Sequence, residues 1–116
     1  MWRRTLSGVS KSKTLSPNSK GMRKDTAYLV TVEGAIREIA PHNGTDFELE
    51  EVQKLVDGYV EVVPYTDGRV MIVNEEGKFC KDRNEPATKM ALESGSIFSH
   101  DYLCGDVVIC PEGMFL

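Results

Sequence analysis

Asp67-Gly68 stands between two runs of β-forming residues, Tyr59–Tyr65 and Arg69–Asn74. A glycine behind an aspartate accepts the positive φ that a tight hairpin needs. The arrangement therefore predicts two adjacent antiparallel strands. Pro64 interrupts the first run near its end, because proline has no N–H for a ladder.

The flanking segments extend this pattern. Ala27–Val32 is β-branched and aromatic and predicts a strand. Glu33-Gly34 turns the chain, Ala35–Ala40 returns as a second strand, and Pro41 stops it. After the loop His42-Asn43-Gly44, Thr45 and Glu48 have capping-box spacing and predict a helix that opens at Thr45. Leu49, Val52 and Val56 give it an apolar stripe, Glu50, Glu51, Lys54 and Asp57 occupy the opposite face, and Gly58 sits where a C-cap belongs. Beyond Asn74, Glu75-Glu76-Gly77 turns and Lys78-Phe79-Cys80 extends briefly. Asn84 caps a second helix with Pro86 in its first turn, Ala87, Met90 and Ala91 on its core face and Gly95 at its end. Val107–Cys110 reads as a buried last strand. The expected fold is α+β: a single domain with a small, largely antiparallel sheet in the order β-β-α-β-β-α-β. Its two helices are expected on one side of the sheet.

Composition narrows the setting. The chain has 116 residues, 41% hydrophobic and 28% charged, ordinary for one globular domain. No apolar run approaches the roughly 18 residues of a membrane span, and no apolar stretch follows the basic N-terminus as in a secretory signal. Three cysteines, Cys80, Cys104 and Cys110, form no C-x-x-C pair and read as free thiols in a reducing compartment. The expected location is the cytoplasm, with no membrane partner.

The net charge of −4 is unevenly distributed. Residues 1–25 carry seven Lys/Arg and one acid, whereas 26–116 hold seven bases against 17 acids, a net of −10. Two parts follow: a basic N-terminal arm at 1–25, expected to be disordered, and the α+β domain at 26–116. The arm reads as an element touching nucleic acid, as a targeting peptide, or as a non-native extension ahead of Met22. Nucleic acid is an expected partner only if the arm is native.

Val70–Phe79, V-M-I-V-N-E-E-G-K-F, is followed by Asn84, Pro86, Ala87 and Thr88, then by G-D-V-V-I-C at Gly105–Cys110. Over roughly residues 28–110 this pattern resembles domain of unknown function 3846, a family found mainly in phages, plasmids and bacterial mobile elements. One departure is that Glu85 separates Asn84 from Pro86 at the start of the second helix. The resemblance implies an accessory gene of a mobile element, of a kind that often acts on host defence, working in the bacterial host's cytoplasm. It implies no catalytic residues.

The residues themselves point away from catalysis. His42, His100 and the three cysteines lack the paired spacing of a zinc site, although Cys104 and Cys110 can face one side of an unbroken strand. His100 and Asp101 are adjacent, so on a strand they point to opposite faces. No nucleophile elbow and no phosphate-binding loop occurs. No cofactor and no metal is expected, and the balance leans against an enzyme.

Two binding readings follow. The first is a non-enzymatic interaction module contacting a host protein through Asn74, Glu75, Glu76, Glu50, Glu51 and Asp67. Those acids, with Glu48, Asp57 and Glu61, would form one negative face. The plainer alternative for Asn74–Gly77 is a tight turn, and for the acids a solvated surface. The second is a small-ligand or nucleotide-signal binder whose pocket would gather Arg37, Arg69, Lys78, Lys81, Arg83 and Lys89.

Overall fold

A computed structural model describes Arg23 and residues 25–115. The expectation of a disordered basic arm falls on residues that, apart from Arg23 and Asp25, lie outside this range. The described chain is α+β, with β1 at Ala27–Val30, β2 at Ile36–Ile39, α1 at Leu49–Val56, β3 at Val60–Pro64 and β4 at Arg69–Asn74. A single helical turn, α2, spans Gly77–Cys80, α3 spans Glu85–Ser94 and β5 spans Val107–Pro111. A 3-10 turn over Glu112–Met114 follows.

All strand pairs are antiparallel and the order across the sheet is β2-β1-β5-β4-β3. Each hairpin follows from its turn chemistry. Between β1 and β2, Thr31 N–H donates to the Ala35 carbonyl (2.8 Å) and its hydroxyl oxygen accepts from Ala35 N–H (3.1 Å). Between β3 and β4, Asp67 and Gly68 both take positive φ, +61° and +74°.

The helices lie on opposite faces of the sheet, which corrects the expectation that they share one side. Met71, Val73, Val107 and Ile109 join Ala87, Met90 and Ala91 of α3 in one core. Val70, Ile72, Val108 and Cys110 join Val52 and Val56 of α1 in the other. The reason is visible in β4 and β5. Their runs V-M-I-V and V-V-I-C are apolar at every position, and a strand covered on both faces needs apolar side chains on both.

Three local expectations also change. Helix α1 begins at Leu49, not at Thr45. The Asn43 side-chain oxygen accepts from the N–H groups of Thr45 (2.9 Å) and Asp46 (3.0 Å), holding that stretch in a side-chain-closed turn. Glu48 becomes the N-cap, and the Glu51 carboxylate accepts from the N–H groups of Glu48 (3.3 Å) and His42 (2.6 Å). At the other end Asp57, not Gly58, takes the left-handed conformation (φ +61°). Gly58 meets a different demand: a Cβ there would lie 2.6 Å from Asn74 Nδ2.

Lys78–Cys80 is helical rather than extended. Glu75 N–H still bonds to Tyr59 O (2.8 Å), but Glu76 N–H turns to Asn74 Oδ1 (2.8 Å) and Lys81 N–H closes the turn on Gly77 O (2.8 Å). The second expected helix agrees closely. Asn84 caps it by accepting from Ala87 N–H (3.0 Å), Pro86 lies in its first turn, and Gly95 ends it at φ +76°. Glu85, the inserted residue, is its first helical position, where an N–H needs no intrahelical partner.

Candidate functional site

A groove of about 550 Å³ opens on the α3 side of the sheet, between β3–β4 and the segment that leaves α3. Val63 and Val73 supply sheet residues, Ile97 and Leu103 supply the facing wall, and Glu61 and Glu75 add carboxylates. Alternation explains Glu61. Val60 and Val62 pack with the α1-side core and Val63 with the α3-side core, so Glu61 shares the face of Val63.

Two phenyl rings stand at the groove in water. Phe79, on α2, is 90% exposed, and Phe98, beyond α3, is 75% exposed. Phe98 stacks on His100, with centroids 6.0 Å apart and the planes 6° from parallel. Large rings exposed beside an apolar recess mark a contact surface more often than a solvated one.

A cluster built on Tyr102 adjoins them. Lys78 Nζ lies 4.8 Å and the Arg83 guanidinium carbon 5.1 Å from the ring centroid. The Lys78 ammonium also donates to the Asp101 carboxylate. That contact, then the Tyr102 N–H (2.8 Å), holds the Asp101 carboxyl below its ordinary range, and the same pair raises Lys78. Asp101 is thereby directed to Lys78 while neighbouring His100 stacks on Phe98, so the two do not act as a pair.

The residues of the acidic reading do not share one face. Asn74 is buried: its Nδ2 donates to the carbonyls of Val56 (3.1 Å) and Asp57 (3.0 Å), tying the end of α1 to the turn after β4. Glu75 lines the groove, and Glu76 borders a second recess with Tyr59 and Cys80. Glu50 and Glu51 ride on α1, across the sheet from Glu61, and Asp67 lies in the β3–β4 turn beside Arg69.

The basic set converges only in part. Lys78 and Arg83 meet on Tyr102. Lys81 reaches Asp57, holding that carboxyl below its ordinary value. Arg37 is exposed on the edge strand β2, and Lys89 is exposed on α3. Arg69 is buried at the start of β4, 5.0 Å over the Tyr65 ring and 3.6 Å from Asp67, with Nη1 lacking a hydrogen-bond partner.

Among the described residues no three His, Cys, Asp or Glu side chains come together as metal ligands. Cys104 and Cys110 do not lie on one unbroken strand, since Gly105 turns between them at φ +82°. Cys110 is enclosed in the α1-side core, where burial pushes its thiol up to about 11. Burial raises Cys104 as well, and Cys80 is exposed.

The family model described as Domain of unknown function (DUF3846) matches residues 22–114. The chain belongs to this family. Searches of curated proteins and of solved structures return no match. The stretches that carry the family resemblance are mostly structural here. Asn74 bolts α1 to β4, and Gly77 comes so close to Cys104 that a Cβ would lie 2.8 Å from its carbonyl oxygen. Phe79, Phe98 and Tyr102 were not among the candidate site residues expected from the sequence. Only their juxtaposition gives them a role, since an isolated Phe or Tyr reads as core.

Proposed function

We propose that this chain is a non-enzymatic protein-interaction module of a phage or other mobile element, and that it binds a protein of the bacterial host through the groove beside Phe79 and Phe98. The observation that carries the reading is the exposure of those two rings beside an apolar recess. Covering them would return on the order of 25 cal/mol for each Å² of apolar surface removed from water. A host-defence component is the first class of partner to examine, following the family's setting. The carboxylates that matter are then Glu61 and Glu75 at the groove, not those of α1.

Affinity capture from bacterial lysate with the parent chain and with Phe79→Ser/Phe98→Ser tests this. A stoichiometric protein held by the parent and lost by the variant is the expected result. A partner held equally by both would remove the groove from the reading.

One observation favours a second reading, a small anionic ligand such as a nucleotide signal. Lys78 and Arg83 share the Tyr102 ring beside the same groove. That reading expects a small molecule to co-purify and to be lost from Lys78→Ala/Arg83→Ala.

A further inference from the structure

Among the described residues β3 pairs with β4 on one side and with no strand on the other. Its hydrogen-bonding phase follows from its two ends. Glu75 N–H bonds to Tyr59 O (2.8 Å) and Tyr65 N–H bonds to Arg69 O (3.0 Å). Tyr59 and Tyr65 therefore face β4, and so do Glu61 and Val63 between them. Val60, Val62 and Pro64 direct their backbone groups away from the sheet. The outer edge thus offers the N–H groups of Val60 and Val62 and the carbonyls of Val60, Val62 and Pro64. Pro64 has no N–H to offer, so strand pairing is blunted at that end and restricted to the Val60–Val62 stretch.

This edge borders the groove. Glu61, on the same strand, projects to the groove face, with Glu75 beyond it. The groove has three carboxylates and one ammonium among its lining residues, and the ammonium of Lys78 is engaged by Asp101. Among the described residues Glu61 and Glu75 remain as uncompensated negative charge in the groove that the exposed ring of Phe98 also lines.

We infer that the partner segment is an extended basic strand that adds to the outer edge of β3 as a sixth strand of the sheet. Its backbone takes the open groups of Val60 and Val62. Its groove-facing side chains are Lys or Arg beside Glu61 and Glu75, alternating with apolar side chains on the opposite face beside Val60 and Val62. Main-chain bonding would supply affinity and the alternate side chains selectivity. The inference rests on the groove reading above but goes further, because the groove can bind a helix or a folded surface without using the β3 edge.

The test uses the full chain and a short fluorescein-labelled peptide of alternating lysine and valine, read by fluorescence anisotropy against a counterpart with glutamate for lysine. The parent should bind the lysine peptide at least about tenfold tighter than the glutamate peptide, and that preference should fall with salt. Val62→Pro removes one outward N–H without touching the β3–β4 ladder, and it should weaken binding roughly tenfold while the circular-dichroism spectrum is unchanged. Glu61→Lys should abolish the preference for lysine. Equal affinity of Val62→Pro and parent would overturn strand addition. Should Val62→Pro lose its native spectrum, Glu61→Lys decides, and an undiminished lysine preference there overturns the proposal. If the captured host protein is lost from Phe79→Ser/Phe98→Ser but kept by Val62→Pro, the groove stands and strand addition falls. If both variants keep it, both readings fall.

Discussion

The side chain of Asn84 donates 2.9 Å to the carbonyl oxygen of Val30, 54 residues earlier in the chain. The same amide donates 2.8 Å to Gly105 O, and its oxygen accepts from Ala87 N–H at 3.0 Å. One fully buried carboxamide thus caps α3 and fixes the end of β1 and the approach to β5. Asn84→Ala should cost about 3 kcal/mol or more, because it removes three buried hydrogen bonds and strips the Ala87 N–H of its cap. Asn84→Asp separates the roles. Aspartate is as good an N-cap as asparagine, so an unchanged urea midpoint would mean that capping is all Asn84 does. We expect a loss at least as large as that of the alanine variant, since a carboxylate facing two carbonyls has nothing to donate.

Gly77→Ala should destabilise by about 1–3 kcal/mol, the range for an added group that forces packed backbone to shift. The new Cβ would lie 2.8 Å from Cys104 O, and a carbonyl held in the backbone cannot rotate aside. Gly113→Ala meets nothing within 4 Å and should unfold with the parent. Thermal melts of the two alanine variants side by side read the difference.

Cys110 sets an alkaline limit. Burial raises its folded-state value to about 11 from an ordinary 9.0, so the unfolded chain releases its proton first. The contribution is complete below about pH 9 and declines progressively as pH rises through 11. Over that window about 2–3 kcal/mol is lost, at 1.36 kcal/mol per pH unit. Cys110→Val removes this ionisation from the core, so urea titrations at pH 8 and pH 11 should show a smaller fall for the variant than for the parent. Equal falls would mean that other groups govern the alkaline limb.

Phe79→Ser/Phe98→Ser should leave the unfolding free energy within about 0.5 kcal/mol of the parent, as expected for surface positions away from the core. If stability falls by several times that amount, the rings pack in solution and the groove is not open.

How far the sequence reaches differs from element to element. The Asp67-Gly68 hairpin, the Asn84 cap with Pro86 and the Gly95 stop are local chemistry, and each lies where local chemistry places it. The start of α1 was less legible. Thr45-x-x-Glu48 fits a capping box, yet Asn43 two residues ahead captures the N–H of Thr45, and adjacent signals compete in ways spacing alone does not rank. The two-sided burial of β4 and β5 is legible in their unbroken apolar runs, but strands that pair through hairpins point to helices on one side. The groove was the least legible part. Glu61, Lys78 and the Phe98–Tyr102 segment come from three separate stretches of chain, and only their meeting makes a site. The basic residues illustrate the converse, because Arg69 is consumed under Tyr65 and Lys81 by Asp57.

β5 lies third across the sheet but last along the chain. Among the described residues the hairpins β1–β2 and β3–β4 are hydrogen-bonded into one sheet only through it, so during synthesis each must wait with one apolar strand flank unpaired until residues 107–111 leave the ribosome. At roughly 5–20 residues per second, the interval from the end of β4 spans seconds. A premature stop anywhere in that stretch would release two unjoined hairpins with sticky flanks, not a smaller version of the domain.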